Sequence, residues 1–193
     1  MATTTIDPAV TAAVVTAADA LFYARGIQAV GMDEIRTAAG VSLKKLYAAF
    51  PGKDQLIAAV LASRHELWEA GMRDAVAAAS TPRDRLLAVY DFLDSWFADD
   101  TFRGCGFINA FGELGATSPA VAAIARDHKE SFQRFIAALA EQVVGDPAQA
   151  DELAAQLALL AEGAQTTAAI AGTRDAAVHA RRAAGVLIDA ATR

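Results

Sequence analysis

Residues 31–50, GMDEIRTAAGVSLKKLYAAF, constrain the fold most, because they predict two short helices joined by a sharp corner. In the first helix, Met32, Ile35 and Ala39 share one face at the helical period. Gly40 follows, and a glycine in the left-handed conformation ends a helix and turns the chain. The pattern therefore predicts that a second helix begins immediately after this corner.

The second short helix has its own start and stop signals. Ser42 stands at the N-cap, where its hydroxyl can accept a hydrogen bond from an unpaired backbone amide. Pro51 disfavours helical backbone at Phe50, so the helix is expected to end there. The predicted inner face consists of Leu43, Leu46, Ala49 and Phe50, and the outer face of Lys44, Lys45, Tyr47 and Ala48.

Two helices this short are not stable alone in water, so they must pack on neighbouring helices. The outward lysines and the tyrosine then lie beside a helix N-terminus, whose amides favour phosphate oxygens. This is the arrangement of a helix-turn-helix, in which the second helix enters the major groove of DNA. From these residues alone, an ordinary helical hairpin with solvated lysines remains the alternative.

The flanking residues extend the pattern over about 17–61. They are Ala20, Leu21, Phe22 and Gly26 before the pair, and Lys53, Leu56 and Val60 after it. The whole run resembles the N-terminal DNA-binding domain of the TetR family of transcriptional regulators. Gly31 replaces the family's usual Ser or Thr cap, and Arg36 stands where the family usually has alanine. Lys44 and Lys45 replace the frequent pair Gly-Thr. Ala49 stands where His or Tyr is common.

The resemblance implies that Tyr47 and Lys53 contact DNA phosphates. Lys44 and Lys45 are the further candidates on the outer face of the second helix. The DNA-binding candidates are therefore Ser42, Arg36, Lys44, Lys45, Tyr47 and Lys53. Substitution at several positions of the family pattern means that the operator sequence does not transfer from relatives.

Caps and prolines mark most of the remaining helices. Asp7-Pro8 predicts the first helix, to about residue 24, and Lys53 begins a long helix reaching about residue 79. Further helices are expected over 81–99, 104–115, 118–144, 146–171 and 173–191. The predicted fold is all-α with about nine helices. Three form a helix-turn-helix head in residues 1–52, and six form a ligand-binding and dimerisation body in residues 53–193.

The net charge of −6 is unevenly distributed. Residues 1–54 contain five basic and five acidic side chains, so the excess acid lies in the remainder of the chain. A neutral head predicts few phosphate contacts per subunit, and useful DNA affinity should therefore require a dimer.

The chain offers little support for a membrane protein, a secreted protein or a metalloenzyme. It contains neither an apolar span nor a signal-peptide pattern, and its single cysteine fits a reducing cytoplasm. The histidines, His65, His128 and His179, lie far apart, and no glycine-rich phosphate loop follows a strand. We therefore expect a cytoplasmic protein with no metal, no cofactor and no enzymatic activity.

Aromatic residues are concentrated in the predicted body. They could form an ordinary core, but so many rings are difficult to pack without voids, and pockets between bundle helices are common binding sites. Cys105, Asn109 and Glu113 add a polar stripe to an apolar helix, where a ligand could satisfy them. The alternative is that Asn109 and Glu113 bond to backbone groups or to each other, and Cys105 is either a redox sensor or an inert buried thiol. The predicted ligand-binding residues are Trp68, Tyr90, Trp96, Phe107, Asn109, Phe111, Glu113 and Phe132.

The last two helices have apolar faces of mostly small residues. These residues are Leu153, Leu157, Leu160, Ala164, Ala168 and Ala171, then Ala183, Val186, Leu187 and Ala190. The resemblance implies that the two helices pair between subunits as a four-helix bundle, whereas intramolecular core is the alternative interpretation.

The leading functional hypothesis is a homodimeric DNA-binding transcriptional regulator. It is expected to be a repressor that binds an inverted-repeat operator in double-stranded DNA and is released by a small apolar or aromatic effector. Two other functions remain open. One is an architectural DNA-binding protein without a ligand, and the other is a helical small-molecule carrier or enzyme.

Overall fold

The computed structural model describes residues 7–193, which form nine α-helices and, within that range, no β-strand. The first four helices are α1 (Pro8–Arg25), α2 (Met32–Ala39), α3 (Leu43–Ala49) and α4 (Lys53–Ala77). The other five are α5 (Pro82–Phe97), α6 (Gly106–Leu114), α7 (Pro119–Ala140), α8 (Pro147–Ala171) and α9 (Asp175–Ala191). The all-α prediction is confirmed. The predicted α7 ran about four residues too far.

The helix starts follow from capping chemistry. Asp7, Thr81 and Asp146 stand at N-caps, and each side chain accepts a hydrogen bond from a backbone amide of the first turn. A proline follows each of them at the first helical position, where no amide hydrogen is needed.

The chain forms two compact units. The first contains the residues up to His65 together with Gly106–Ala125, and the second contains Glu66–Cys105 together with Arg126–Arg193. Helix α6 therefore belongs with the N-terminal helices. The predicted functional division at residue 52 stays a prediction.

The first unit has its core beneath the short helices. Helices α1, α2 and α3 pack on one another. Their buried apolar side chains, with those of the start of α4, are Val14, Ala18, Phe22, Ile35, Leu46, Leu56, Val60 and Leu61.

The second unit is organised around α5, α8 and α9, which pack on one another. Leu86, Leu93, Leu157 and Ile188 are almost fully buried between them. Small residues such as Ala161 allow α8 to approach its neighbours closely.

Three ion pairs join α5 to α9 and to the turn that precedes α9. They join Arg83 to Asp189, Arg181 to Asp91 and Arg174 to Asp94, with nitrogen–oxygen distances of 2.7, 2.6 and 2.6 Å.

No helix within residues 7–193 combines the length and the apolar character that a membrane crossing requires.

Candidate nucleic-acid interface

Helices α2 and α3 are joined by a tight corner at Gly40. This glycine has φ 66° and ψ 27°, the left-handed conformation, and its N–H bonds to the carbonyl of Thr37. The Val41 amide donates a hydrogen bond to the carbonyl of Arg36, and the two bonds together close the end of α2. The Ser42 hydroxyl then accepts a hydrogen bond from the Lys45 amide at 3.3 Å, so α3 has the predicted cap.

The two faces of α3 differ sharply in burial. Leu46 is fully buried, and Phe50 follows it into the same core. Lys44, Lys45 and Tyr47 are exposed on the opposite side. The structure therefore presents two ammonium groups and a phenol on an outer face supported by a rigid inner one.

Leu43 does not lie on the inner face, so that expectation is wrong. Its side chain is 51% exposed. Because side chains tilt toward the helix N-terminus, the side chain of the first helical residue leans beyond the surface that buries Leu46. An apolar group is therefore added to the outer surface, beside Ser42 and Lys44.

The charged groups of two candidate DNA-binding residues make contacts inside the first unit. Lys53 Nζ donates hydrogen bonds to the carbonyls of Ile27 and Val30, both at 2.6 Å. Arg36 Nε lies 2.8 Å from an Asp33 carboxylate oxygen. Lys53 thus supports the loop between α1 and α2, and Arg36 is partly neutralised on its own helix.

The residues of the predicted ligand-binding set lie in both compact units. In the second unit, the Trp68 ring lies against Phe132 and His128, with centroid distances of 5.1 and 5.0 Å. Trp96 belongs to another group of rings, with Phe97 and Phe102.

Tyr90 is part of the core of the second unit. Its hydroxyl donates to the Leu157 carbonyl at 2.7 Å, and burial raises the pKa of the phenol. The hydroxyl therefore stays protonated and joins α5 to α8.

The four predicted ligand residues of α6 lie in the first unit. Phe107 is buried and forms an edge-on contact with His65 at 6.3 Å, whereas Phe111 and Asn109 are exposed. Glu113 accepts hydrogen bonds from the amides of Ile27 and Gln28, both at 2.9 Å. Cys105, the first member of the predicted polar stripe, precedes the helix and is half-buried.

The contacts of Glu113 could not be found from the sequence. Its partners are more than 80 positions away, and backbone amides carry no side-chain signal. The alternative interpretation of the stripe, in which Glu113 satisfies backbone groups, describes what the structure contains.

Two cavities of the second unit differ greatly in size. A cavity of about 30 Å³ beside Trp68 is bounded by Met72, Ser131 and Phe135, and it is far smaller than an organic ligand. A cavity of about 390 Å³ lies at the ends of α5 and α8. Its lining residues are Phe97, Asp99, Asp100, Phe102, Arg103, Ala168, Ala169, Gly172, Thr173 and Arg174.

In the described part of the chain, no three His, Cys, Asp or Glu side chains are grouped as metal ligands.

Two family models match this sequence. Residues 14–60 match the model described as "Bacterial regulatory proteins, tetR family". Residues 82–184 match "Tetracyclin repressor-like, C-terminal domain" and make up more than half of the chain.

Solved structures share this fold. A TetR-family transcriptional regulator from Streptomyces coelicolor has a TM-score of 0.89 and 24% identity, and the match covers 97% of this chain and 98% of that one. A TetR-type regulator from Streptomyces avermitilis has a TM-score of 0.81 and 30% identity, with 94% and 97% of the two chains covered.

A curated relative is the HTH-type transcriptional activator FasR of Mycolicibacterium smegmatis, which is 36% identical over 107 residues. That match covers 55% of this chain and 48% of FasR, about half the length of the relative. With one helix-turn-helix in its first unit, and family models that match both its N-terminal and C-terminal parts, the chain belongs to the TetR family of transcriptional regulators.

Proposed function

We propose that this protein is a homodimeric DNA-binding repressor that acts in the cytoplasm and is released from its operator by a small apolar or aromatic molecule. The observation that carries the proposal is the geometry of α2 and α3. The Gly40 corner and the Ser42 cap hold α3, Leu46 anchors it, and Lys44 and Lys45 project outward. A helix supported in this way can enter a major groove.

The proposed DNA contacts fall first on Lys44, Lys45 and Tyr47. The lysines supply ammonium donors for phosphates or for guanine edges, and the Tyr47 hydroxyl supplies a phosphate contact. Ser42 caps the N-terminus of α3 and is exposed, so it belongs to the same contact surface as the two lysines and Tyr47. Arg36 and Lys53 have a second place in the proposal, because both already make contacts inside the first unit.

The proposed dimer interface is the outer surface of α8 and α9. Leu159, Ile170 and Val186 are apolar and 70%, 83% and 70% exposed. By contrast, Leu157 and Ala168, which the sequence assigned to the pairing face, are buried within the subunit. A second copy of the chain would cover the exposed residues, so Leu159 is a better probe of the interface than the half-buried Leu160.

The proposed effector site is the cavity of about 390 Å³ at the ends of α5 and α8. Its volume lies in the range of small-molecule sites, and Phe97 and Phe102 supply an aromatic wall. An effector lowers DNA affinity only if it binds the released conformation more tightly, and typical couplings of ~1–3 kcal/mol change affinity roughly 5–150-fold.

The experiment that tests this function is selection of DNA by the purified protein from a random pool. We expect an inverted repeat, and we expect a variant with alanine at Lys44, Lys45 and Tyr47 to lose the enriched sequence. Selection of no sequence, or the same affinity in wild type and triple variant, would refute the proposal. A reporter gene behind the selected site then separates repression from activation, the activity named for FasR.

The effector part of the proposal has its own test. A panel of aromatic and aliphatic compounds is titrated into the protein–DNA complex, and a hit is repeated with Ala169→Trp, which narrows the cavity from its exposed rim. Ala138→Trp, on the exposed surface of α7, is the matched control. The proposed position is wrong if both variants respond to the hit as wild type does.

A further inference from the structure

The loop between α1 and α2 is held by two side chains of opposite charge. The Glu113 carboxylate accepts hydrogen bonds from the amides of Ile27 and Gln28, both at 2.9 Å. The Lys53 ammonium donates to the carbonyls of Ile27 and Val30, both at 2.6 Å. Hydrogen bonds to charged groups are roughly twice as strong as neutral ones, so this short loop has unusually strong supports.

The contact with α6 is close and involves more than one group. Gly26 has φ 87°, and a Cβ there would lie 3.2 Å from both Glu113 carboxylate oxygens. The Gln28 side-chain amide also donates to the Glu113 carbonyl at 2.7 Å. The end of α6 therefore packs directly against the loop, and the loop leads into α2 at Met32.

Both oxygens of Glu113 are engaged by backbone donors, one by each amide. Helix α6 also lies in the same compact unit as α2 and α3, whereas residues 66–105, which precede α6 in the chain, belong to the other unit. The carboxylate thus joins a helix that is distant in sequence to the loop that positions the helix-turn-helix.

We propose that Glu113 is a positioning residue that clamps α6 to the α1–α2 loop, so that α6 and the helix pair α2–α3 move as one body. The coupling of this body to DNA rests on the proposed function. A displacement of α6 is then passed to α2 through two charged hydrogen bonds, and DNA held by α3 stabilises α6 in return.

The clamp is tested first without DNA, by amide hydrogen exchange of wild type and Glu113→Gln. The glutamine side chain has one acceptor oxygen and presents an NH2 group where the second oxygen was, so it cannot accept from both amides. We expect exchange at Ile27 and Gln28, and in the last turn of α6, to rise roughly tenfold or more together.

Gln28→Ala is the matched control, because it removes the side-chain bond to the Glu113 carbonyl and leaves both carboxylate bonds in place. It should raise exchange far less. If Glu113→Gln does not fold, Glu113→Asp tests the same point, since its carboxylate is one methylene shorter and intermediate exchange is expected. Unchanged exchange in a folded Glu113 variant, or equal effects of Gln28→Ala, would overturn the clamp.

The second measurement uses the selected operator DNA. In wild type, DNA should slow exchange in α3 and also in α6, whereas in Glu113→Gln it should slow exchange in α3 alone. Equal slowing of α6 in both proteins would overturn the coupling. If wild type selects no DNA, the proposed function fails, and the exchange of the DNA-free proteins still decides whether the clamp exists.

Discussion

At the scale of single residues, two leucines on α3 have opposite environments. Leu46 is fully buried, and Leu43 is half exposed one turn earlier. Truncating a buried leucine to alanine lowers the free energy of unfolding by about 2–5 kcal/mol, whereas the same change at an exposed position lowers it much less. In urea denaturation we expect Leu46→Ala to lower the free energy of unfolding by that amount and Leu43→Ala to change it little. Equal losses in the two variants would mean that Leu43 is part of the core.

Lys45 carries the second prediction at this scale. If its ammonium group contacts a phosphate, Lys45→Ala should weaken operator binding and reduce the slope of log K against log salt by about one. If Lys45 contacts a base instead, sequence preference should relax. Fluorescence anisotropy at several salt concentrations measures both effects. Arg134→Ala, an exposed change of equal charge on α7, should leave binding unchanged.

At the scale of elements, the ion pair of Arg83 with Asp189 joins α5 to α9. The hydrogen bond that Asp189 accepts from Arg83 holds the pKa of the Asp189 carboxyl below its ordinary value of 3.8. A carboxyl whose pKa is lower in the folded state contributes stability above its unfolded pKa, and this contribution is lost as pH falls below about 4.

The Asp189→Asn variant tests this contribution. The wild type should have the higher urea midpoint at pH 7, and the difference should shrink as the pH falls through the lowered pKa of Asp189. The effect should be small, because both side chains are about half exposed. A difference that is the same at both pH values would show that charge is not its cause.

The helices could be predicted well because their ends carry local chemistry. Asp7-Pro8, Thr81-Pro82 and Asp146-Pro147 each encode a cap and a compatible first residue within two positions. The four residues by which α7 was overestimated lie at a helix end without such a signal.

The site was harder to predict, because its contacts depend on tertiary structure. Periodicity placed Leu43 on the inner face, since a helical wheel does not include the tilt of side chains at the first turn. Nothing in the sequence links Glu113 to the amide of Ile27. The cavity beside Phe102 depends on where the ends of two helices meet, which composition does not encode.

At the scale of the whole molecule, dimerisation should determine DNA affinity. Val186→Glu places a charge on the exposed apolar surface of α9, and we expect it to give a monomer that binds the operator poorly. Light scattering with size-exclusion chromatography measures the mass, and Leu67→Glu, an equally exposed change on α4, is the control. A wild-type monomer that binds one half-site tightly would contradict the prediction.

The engagement of basic groups inside the first unit has a consequence for how the protein searches a genome. Arg25 pairs with Glu34, Arg36 with Asp33, and Lys53 with backbone carbonyls, while Lys44 and Lys45 project outward. Retention on arbitrary DNA depends on the number of neutralised phosphates, so it should be brief. A genome offers on the order of 10⁶–10⁹ competing sites. Because retention at each of these sites should be brief, most molecules should nevertheless be unbound between encounters. Operator occupancy should therefore follow the protein's copy number closely, with little of the population sequestered along the chromosome.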